Sequence, residues 1–376
     1  MKICTITCHD VYNHGASLQA YGLMKYLKNK GHDVEIINYK PDYLSNHYNL
    51  LSIDNPVWEK NNITKLIYLT LKLPNRIISL KRKREFDNFT FKQLKLTRLK
   101  YSSNEDIKKA PPLADIYICG SDQIWNSLHL NGRDPAFYLD FAPDNKIKAS
   151  YAASFATETI SDNLESITKK RIERLDFISV REKSGLNILD KLNVKKAITV
   201  VDPVFLLDIN EWNQLAKTEF NEDFILIYDF DNSELIKKIA KEFSEKYNLK
   251  IYSIGATKLN YADENFHLHG PDTYISLIKQ SKYIISNSFH AAVFSIIYKK
   301  DFIIVNRTEA INTRMRDLLD DLNLNDRLIE EGESLDKILI NIDYQKVNVI
   351  LDNKISQSKQ FLNTVLSNKG SMEKII

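Results

Sequence analysis

Apolar and polar positions along the chain alternate between two rhythms, short apolar runs of strand length and longer stretches at helical spacing. "KICTITC" (2–8) predicts a strand, "VYNHGAS" (11–17) a loop, and "LQAYGLMKYLKNKG" (18–31) an amphipathic helix. "DVEIINYK" (33–40) predicts a second strand. Leu18, Tyr21, Gly22, Met24 or Lys25, and Leu27 recur at helical spacing, and Gly31 suits the position just past the helix end. A strand–helix–strand unit of this kind predicts a parallel sheet.

From residue 58 to about 101 the pattern becomes helical and basic. It carries Lys65, Lys72, Arg76, Lys81, Arg82, Lys83, Arg84, Lys92, Lys95, Arg98 and Lys100 against Glu85 and Asp87. Such a run reads either as a solvated helix face or as a surface for phosphate-bearing lipid or acidic glycan. Aromatic residues are not interleaved with it as on a single-strand nucleic-acid platform, so nucleic acid is not expected.

Strand-like runs then resume with "ADIYICG" (114–120), "IKASYAASFA" (147–156), "RLDFISVRE" (174–182) and "KAITVVDP" (196–203). A second series follows: "FILIYDF" (224–230), "KIYSIG" (250–255), "YIISNS" (283–288) and "DFIIVN" (301–306), with helices at 233–247 and 272–280. The expected fold class is α/β, two Rossmann-like domains with a central cleft. The first spans 1–205 with the helical basic insertion at 58–101, the second 206–346, and a helical segment at 347–376 closes the chain.

Composition adds little beyond a soluble class: 43% hydrophobic, 27% charged, net charge +3 over 376 residues. The three cysteines, Cys4, Cys8 and Cys119, lie in apolar runs and read as buried thiols in a reducing compartment, without a metal cluster or disulfide framework. Met1 leads directly into a strand, and no apolar run approaches the ~18 residues that span a bilayer. The expectation is a cytoplasmic protein, either free or peripheral at the inner face of the membrane through residues 65–100.

Ligands of doubly wound sheets bind beyond the carboxyl ends of the strands, and polar residues collect there. His9, Asp10, Asn13, His14, Gly15 and Ser17 follow the first strand and open a helix, a place that favours an anion or plain N-capping. "NHGAS" is not a dinucleotide fingerprint. Gly120, Ser121, Asp122 and Gln123 follow the third apolar run. Trp125, next along, is either a platform for a sugar ring or core packing. Arg181–Glu182 end another strand, Arg181 suiting a carboxylate or phosphate unless an acid already pairs it. Ser288 and His290 open the helix after "YIISN", and Arg307, Arg314 and Arg316 lie downstream. A histidine with several arginines at strand ends suggests chemistry on a doubly charged anion.

Taken together, "NHGASLQAYGLMKYL" (13–27), "DIYICGSDQIWN" (115–126), "SYAASFA" (150–156), "ISVREKSG" (178–185), "VVDPVFLL" (200–207) and "SNSFHAAVFSI" (286–296) resemble the polysaccharide pyruvyl transferase family. The resemblance implies two domains arranged as in GT-B glycosyltransferases, phosphoenolpyruvate as donor and a sugar diol, on a nucleotide- or lipid-linked glycan, as acceptor. It implies no cofactor. His290 matches the family's catalytic histidine and Arg181 an arginine that holds the donor. The chain departs from the family pattern in three places. Ser288 stands where many members have arginine, Cys119–Gly120–Ser121 where many have three glycines, and Ala16 where many have aspartate. Arg314 or Arg316 is the candidate replacement for the missing guanidinium.

The reaction so implied forms a ketal. His290 accepts a hydroxyl proton and donates one, with Asp122 orienting or deprotonating the acceptor. Arg181, Ser288, Arg314, Arg316 and the loop of Asn13, Gly15 and Ser17 hold the donor; Gly120, Ser121, Gln123 and Trp125 meet the acceptor. The rivals are a nucleotide-sugar glycosyltransferase, for which Glu264 and Asp272 are the nearby ribose-binding acids, and a non-catalytic glycan- or anion-binding relative.

Overall fold

The computed structural model describes residues 1–45, 48–50, 61–309, 311–330, 332 and 341–367. The expected start of the basic insertion at 58–60, residues 333–340 of the second domain and the tail at 368–376 lie outside them.

The first sheet contains β1 (Lys2–Ile6), β2 (Asp33–Tyr39), β3 (Leu96–Tyr101), β4 (Ile116–Cys119) and β5 (Ile147–Ser150), all parallel, in the order β3-β2-β1-β4-β5. The pair β6 (Ile178–Val180) and β7 (Ala197–Thr199) continues it through bridges of Ala149 to Phe177 and Ala153 to Val180. The second sheet contains β8 (Phe224–Tyr228), β9 (Lys250–Ser253), β10 (Glu264–Asn265), β11 (Tyr283–Ser286), β12 (Asp301–Val305) and β13 (Leu328–Ile329). It is also parallel, in the order β10-β9-β8-β11-β12-β13. Central strands such as "FILIY" and "YIIS" are apolar along nearly their whole length because helices cover both faces.

One expectation needs correction. The sequence pattern predicts a helical basic insertion to about 101, yet its last residues form the edge strand β3. The helix Asn62–Gln93 stops first, and Leu96–Tyr101 pairs with β2. As an edge strand it buries only Thr97 and Tyr101, so its apolar pattern is weak, and the Thr97 hydroxyl accepts from the Asn38 N–H at 3.0 Å. The short β10 and β13 were also not foreseen, being two residues each.

The domains share a core. One apolar cluster runs from Ile3 and Leu18 through Trp212 and Tyr274 to Phe294 and Leu362. The closing helix Tyr344–Ser367 returns to the first domain, where Ser358 Oγ accepts from the Val201 N–H at 2.9 Å and Leu362 and Val365 are fully buried. Among the described residues no helix is long and apolar enough to cross a membrane.

Candidate functional site

Each sheet reverses its winding once, between β1 and β4 in the first domain and between β8 and β11 in the second. Such switch points open a crevice at the strands' carboxyl ends. The two crevices meet. The helix His14–Asn29 follows β1 and the helix Phe289–Ile297 follows β11, and their first turns touch at Gly15 and His290. A Cβ on Gly15 would lie 2.1 Å from His290 Nδ1, so only glycine lets the imidazole of one domain rest on the helix start of the other.

Both helix starts are capped as their sequences suggest. Asn13 Oδ1 accepts from the Ala16 N–H at 3.2 Å, and Ser288 Oγ from the Ala291 N–H at 3.4 Å. His290 therefore sits in the first turn, almost buried, at 5% exposure. Its Nε2 is 3.5 Å from Asp202 Oδ2, within ion-pair range but without a hydrogen bond.

Asp202 was not singled out as a site residue. It follows β7 at the Asp-Pro of "VVDP", and the visible signal was a carboxylate at a strand end followed by a proline that opens a turn. Its Oδ2 accepts from Arg181 Nη1 at 2.7 Å, and its Oδ1 from the Val204 N–H at 3.1 Å. Arg181 is ringed by acid, with Asp122 Oδ1 at 3.5 Å and Glu182 Oε2 at 3.7 Å, and its guanidinium lies 4.3 Å above the Phe289 ring. Arg314 approaches the other side of Asp122 Oδ1 at 3.4 Å and packs over the same ring at 5.6 Å. With its amide oxygen turned towards Arg314, Gln123 accepts from Nη1 at 2.9 Å and Nη2 at 2.6 Å.

The electrostatics follow from burial and pairing. Burial pushes the Asp202 carboxyl up, but His290 and Arg181 outweigh it and hold the group well below the usual carboxylate range. Asp122 is likewise lowered, with Arg181, His290 and Arg314 overcoming burial. Glu182 is raised because burial prevails, although its Oε1 accepts from Ser154 Oγ and the N–H groups of Phe155 and Ala156. Burial lowers the charged form of Arg181 too, and the surrounding carboxylates more than restore it. Arg314 has weaker support: burial, then Arg181, outweighs Asp122 and Glu182 and pulls it down to about 10. The nitrogens Arg181 Nε, Arg314 Nε and His290 Nε2 are buried without a hydrogen-bond partner.

Two open cavities flank this cluster. One, about 530 Å³, is walled by Asn13, Tyr43, Asp122, Gln123, His129 and Asn131. The other, about 840 Å³, runs between the domains past Thr157, Glu158, Asn312, Thr313 and Arg316. A narrower space of about 50 Å³ touches Arg181, Asp202, Phe289 and Arg314.

The structure thus brings together His290, Arg181, Asp122, Arg314, Gln123 and Gly15. Other expected residues turn elsewhere. Trp125 is fully buried, stacked on Tyr138, and its Nε1–H donates to the Phe137 carbonyl at 3.1 Å, so it is core packing and offers no face to a sugar. Ser121 is fully buried and its hydroxyl donates to the Ala152 carbonyl at 2.8 Å. Gly120 has φ +118°, and a Cβ there would lie 2.1 Å from the Tyr151 carbonyl oxygen, so its glycine serves strand contact. Ser288 is occupied as a cap, and Ser17 is buried inside its helix. Arg316 pairs with Glu158 in the outer cavity, away from Arg314. Glu264 is exposed, and Asp272 accepts from its neighbour's N–H at 2.8 Å. Among the described residues no group of three His, Cys, Asp or Glu is placed to hold a metal.

The family model for polysaccharide pyruvyl transferases matches residues 13–309, from the Asn13 cap past β12, and so includes Gly15, Asp122, Gln123, Arg181, Asp202 and His290, while Arg314 lies just beyond it. The chain belongs to the polysaccharide pyruvyl transferase family. No curated relative matches it significantly. Among solved structures it is similar to the UDP-GlcNAc 2-epimerase of Neisseria meningitidis bound to UDP-GlcNAc, with TM-score 0.50 and 12% identity over 98% of this chain and 100% of that one. It is also similar to the Methanocaldococcus jannaschii enzyme in complex with UDP-GlcNAc and UDP, with TM-score 0.50 and 14% identity over 98% and 99%. A third is the Rickettsia bellii enzyme, with TM-score 0.50 and 12% identity over 100% and 99%. These likenesses establish the GT-B-like arrangement of two Rossmann-like domains for this pyruvyl transferase relative.

Proposed function

We propose that the chain transfers a pyruvyl group from phosphoenolpyruvate to two hydroxyls of a sugar, forming a ketal in the building of a cell-surface polysaccharide. The observation that carries this reading is the meeting of His290 with Asp202, Arg181, Asp122 and Arg314 where the two sheet crevices join. Protonation of the donor's methylene makes its C2 electrophilic. One sugar hydroxyl adds there, phosphate leaves, and a second hydroxyl closes the ring. His290 takes the proton from the attacking hydroxyl and returns one, the kind of step that positioned general acid–base groups accelerate by roughly 10²–10⁴-fold.

The other roles follow from position. Asp122, held ionised by its arginines, faces the cavity of about 530 Å³ and accepts a hydrogen bond from the sugar. Arg314, whose Nε has no partner, answers the donor's anionic groups, while Arg181 is mostly consumed by Asp202 and organises the cluster. No step needs a metal.

Phosphate release from phosphoenolpyruvate with a panel of sugar acceptors tests the reading, together with thermal stability of the protein against the donor alone. A ligand at a hundredfold excess over Kd adds about 2.7 kcal/mol to the native state. Release that depends on acceptor and vanishes in His290→Ala supports the reading. Full turnover by that variant removes His290 from the mechanism.

One observation favours a second reading, nucleotide-sugar glycosyl transfer. Phe230 is exposed at the end of β8 with the Arg307 guanidinium 4.8 Å above its ring, and with Tyr228 it lines a cavity of about 370 Å³ that could take a base. Release of free nucleotide from a nucleotide sugar, without any response to phosphoenolpyruvate, selects that reading.

A further inference from the structure

The helix Asn62–Gln93 has two unlike halves. Its C-terminal half is anchored by Arg82, which donates to the carbonyls of Gly255 at 2.6 Å, His267 at 3.0 Å and Tyr12 at 3.1 Å, and by the buried rings of Phe86 and Phe89. Along its first eighteen residues, Tyr68 is the one side chain among those described that is buried. Ile63, Leu66, Ile67, Leu71, Ile77 and Ile78 are between 45% and 72% exposed. At 100° per residue these six fall within an arc of about 140°, a continuous apolar stripe of amphipathic-helix width. Thr70 and Pro74 fill the gaps in the stripe and are exposed too. A stripe of six large aliphatics is far from the scattered apolar residues of an ordinary surface and marks an interaction site.

Charge decides the partner. From residue 60 to residue 84 the sequence holds no acidic residue, while Lys65, Lys72, Lys81 and Arg84 all reach solvent along the described part of this helix. By the same spacing Lys81 and Arg84 continue the stripe's own side, while Lys65 and Lys72 add positive charge on the opposite one. An apolar stripe continued by Lys81 and Arg84, on a helix with no acidic residue up to residue 84, fits the interfacial region of an anionic membrane, where aliphatics enter the acyl boundary and the basic heads reach the headgroups.

We propose that the helix over residues 62–84 docks the protein on an anionic lipid surface, with Ile63, Leu66, Ile67, Leu71, Ile77 and Ile78 as the embedded face. This does not depend on pyruvyl transfer. It does bear on where the acceptor is met, because Arg76, Ser79 and Arg82 of the same helix line the cavity of about 370 Å³ that includes Asn13 at the helix start beside His290. One helix then carries the lipid-facing stripe on one side and lines this cavity on the other.

The test is flotation of the full chain, without substrate, on equimolar phosphatidylcholine–phosphatidylglycerol vesicles and on pure phosphatidylcholine vesicles. The expected result is salt-sensitive binding to the anionic vesicles only, reduced at least ~10-fold in the double variant Ile67→Glu/Leu71→Glu. Both positions are exposed, so the variant should keep the wild-type melting temperature, and its phosphate release with a soluble acceptor should be unchanged. A second variant, Lys81→Glu/Arg84→Glu, at two exposed positions on the stripe's side, should weaken binding to anionic vesicles while sparing the fold. Absence of binding, or binding indifferent to Ile67 and Leu71, overturns the proposal. So does a dimer in solution that Ile67→Glu/Leu71→Glu breaks while vesicles remain unbound, since the face would then belong to a second copy of the chain.

Discussion

Asp202 Oδ2 stands 2.7 Å from Arg181 Nη1 and 3.5 Å from His290 Nε2, so one carboxylate of the first domain holds both a cation of its own domain and the histidine of the other. That sharing makes two replacements differ. Asp202→Asn keeps the size of the side chain and removes the charge that faces the imidazole. The expected outcome is a fall in kcat with a smaller change in KM for the donor, read from phosphate release. Both replacements break the buried ion pair with Arg181, at a cost of about 3–5 kcal/mol, and Asp202→Ala in addition removes the oxygen that accepts from Nη1, leaving a buried donor unsatisfied at a further cost of about 1–3 kcal/mol. Its melting curve should therefore shift well below that of Asp202→Asn. Equal melting temperatures would show that the oxygen kept by asparagine gives Arg181 no support.

Gly15 supplies a sharper geometric test. The expected methyl of Gly15→Ala would fall 2.1 Å from His290 Nδ1, and the imidazole must move by about an ångström or more to clear it. A displacement of that size at a reacting group costs on the order of 10²-fold in rate. Phosphate release should drop accordingly while donor binding, read by thermal shift, persists. A fully active Gly15→Ala enzyme would place the reacting atoms away from His290 Nδ1.

The alternation of apolar runs is enough to read the central strands of both sheets, because these are apolar on both faces and stand out in any window, whereas the two-residue edge strands β10 and β13 are too short to show. The edge strand β3 was hidden in the basic insertion because only Thr97 and Tyr101 turn inward. For the site, the strand-end rule picked out His290, Arg181, Asp122 and Arg314, four residues that the fold brings together from separate loops. It failed for Trp125, since sequence position beside a polar loop says nothing about which way a ring points, and here the ring stacks inside on Tyr138. It passed over Asp202 because an Asp-Pro at a strand end reads first as turn chemistry; the His290 contact is made across domains, 88 residues on in the numbering, and no local pattern carries it.

Arg181 and Arg314 lie over the same phenyl ring, yet their charges are supported unequally. Carboxylates on three sides raise Arg181 above the ordinary arginine range, while burial and Arg181 itself pull Arg314 down to about 10. The first is paid back by its surroundings; the second is held charged at a cost. Arg181→Met should therefore lower the melting temperature strongly, since it strands Asp202. Arg314→Met should leave stability level or higher, because Asp122 keeps Arg181, and should weaken the stabilisation by phosphoenolpyruvate. Sites built for function commonly carry such a residue at the expense of stability. A large loss of stability in Arg314→Met, with donor binding intact, would mark Arg314 as structural.

Acid sensitivity should trace to histidines outside the proton-transfer role. Burial lowers His9 from 6.5 to about 4, partly opposed by Asp10. Burial, then Arg82 and His269, holds His14 well below the same value, with its ring stacked 5.1 Å from Tyr274 and tilted against Phe86 at 4.9 Å. In the unfolded chain both rings take up protons as pH falls below 6.5, whereas in the native protein they stay neutral until the lowered values are reached. Unfolding then binds protons, so stability is full above 6.5 and declines as pH falls through this window, by up to about 1.4 kcal/mol per pH unit for each ring. The lowered Asp122 and Asp202 act in the same direction but only below 3.8, the ordinary carboxylate value. Neither nitrogen of His14 has a hydrogen-bond partner, so His14→Phe should keep the packing and remove one ring's share of the slope. Urea unfolding of the wild type and His14→Phe across pH 4.5 to 7 measures it, and identical slopes would mean that His14 takes up protons alike in the native and unfolded states over that range.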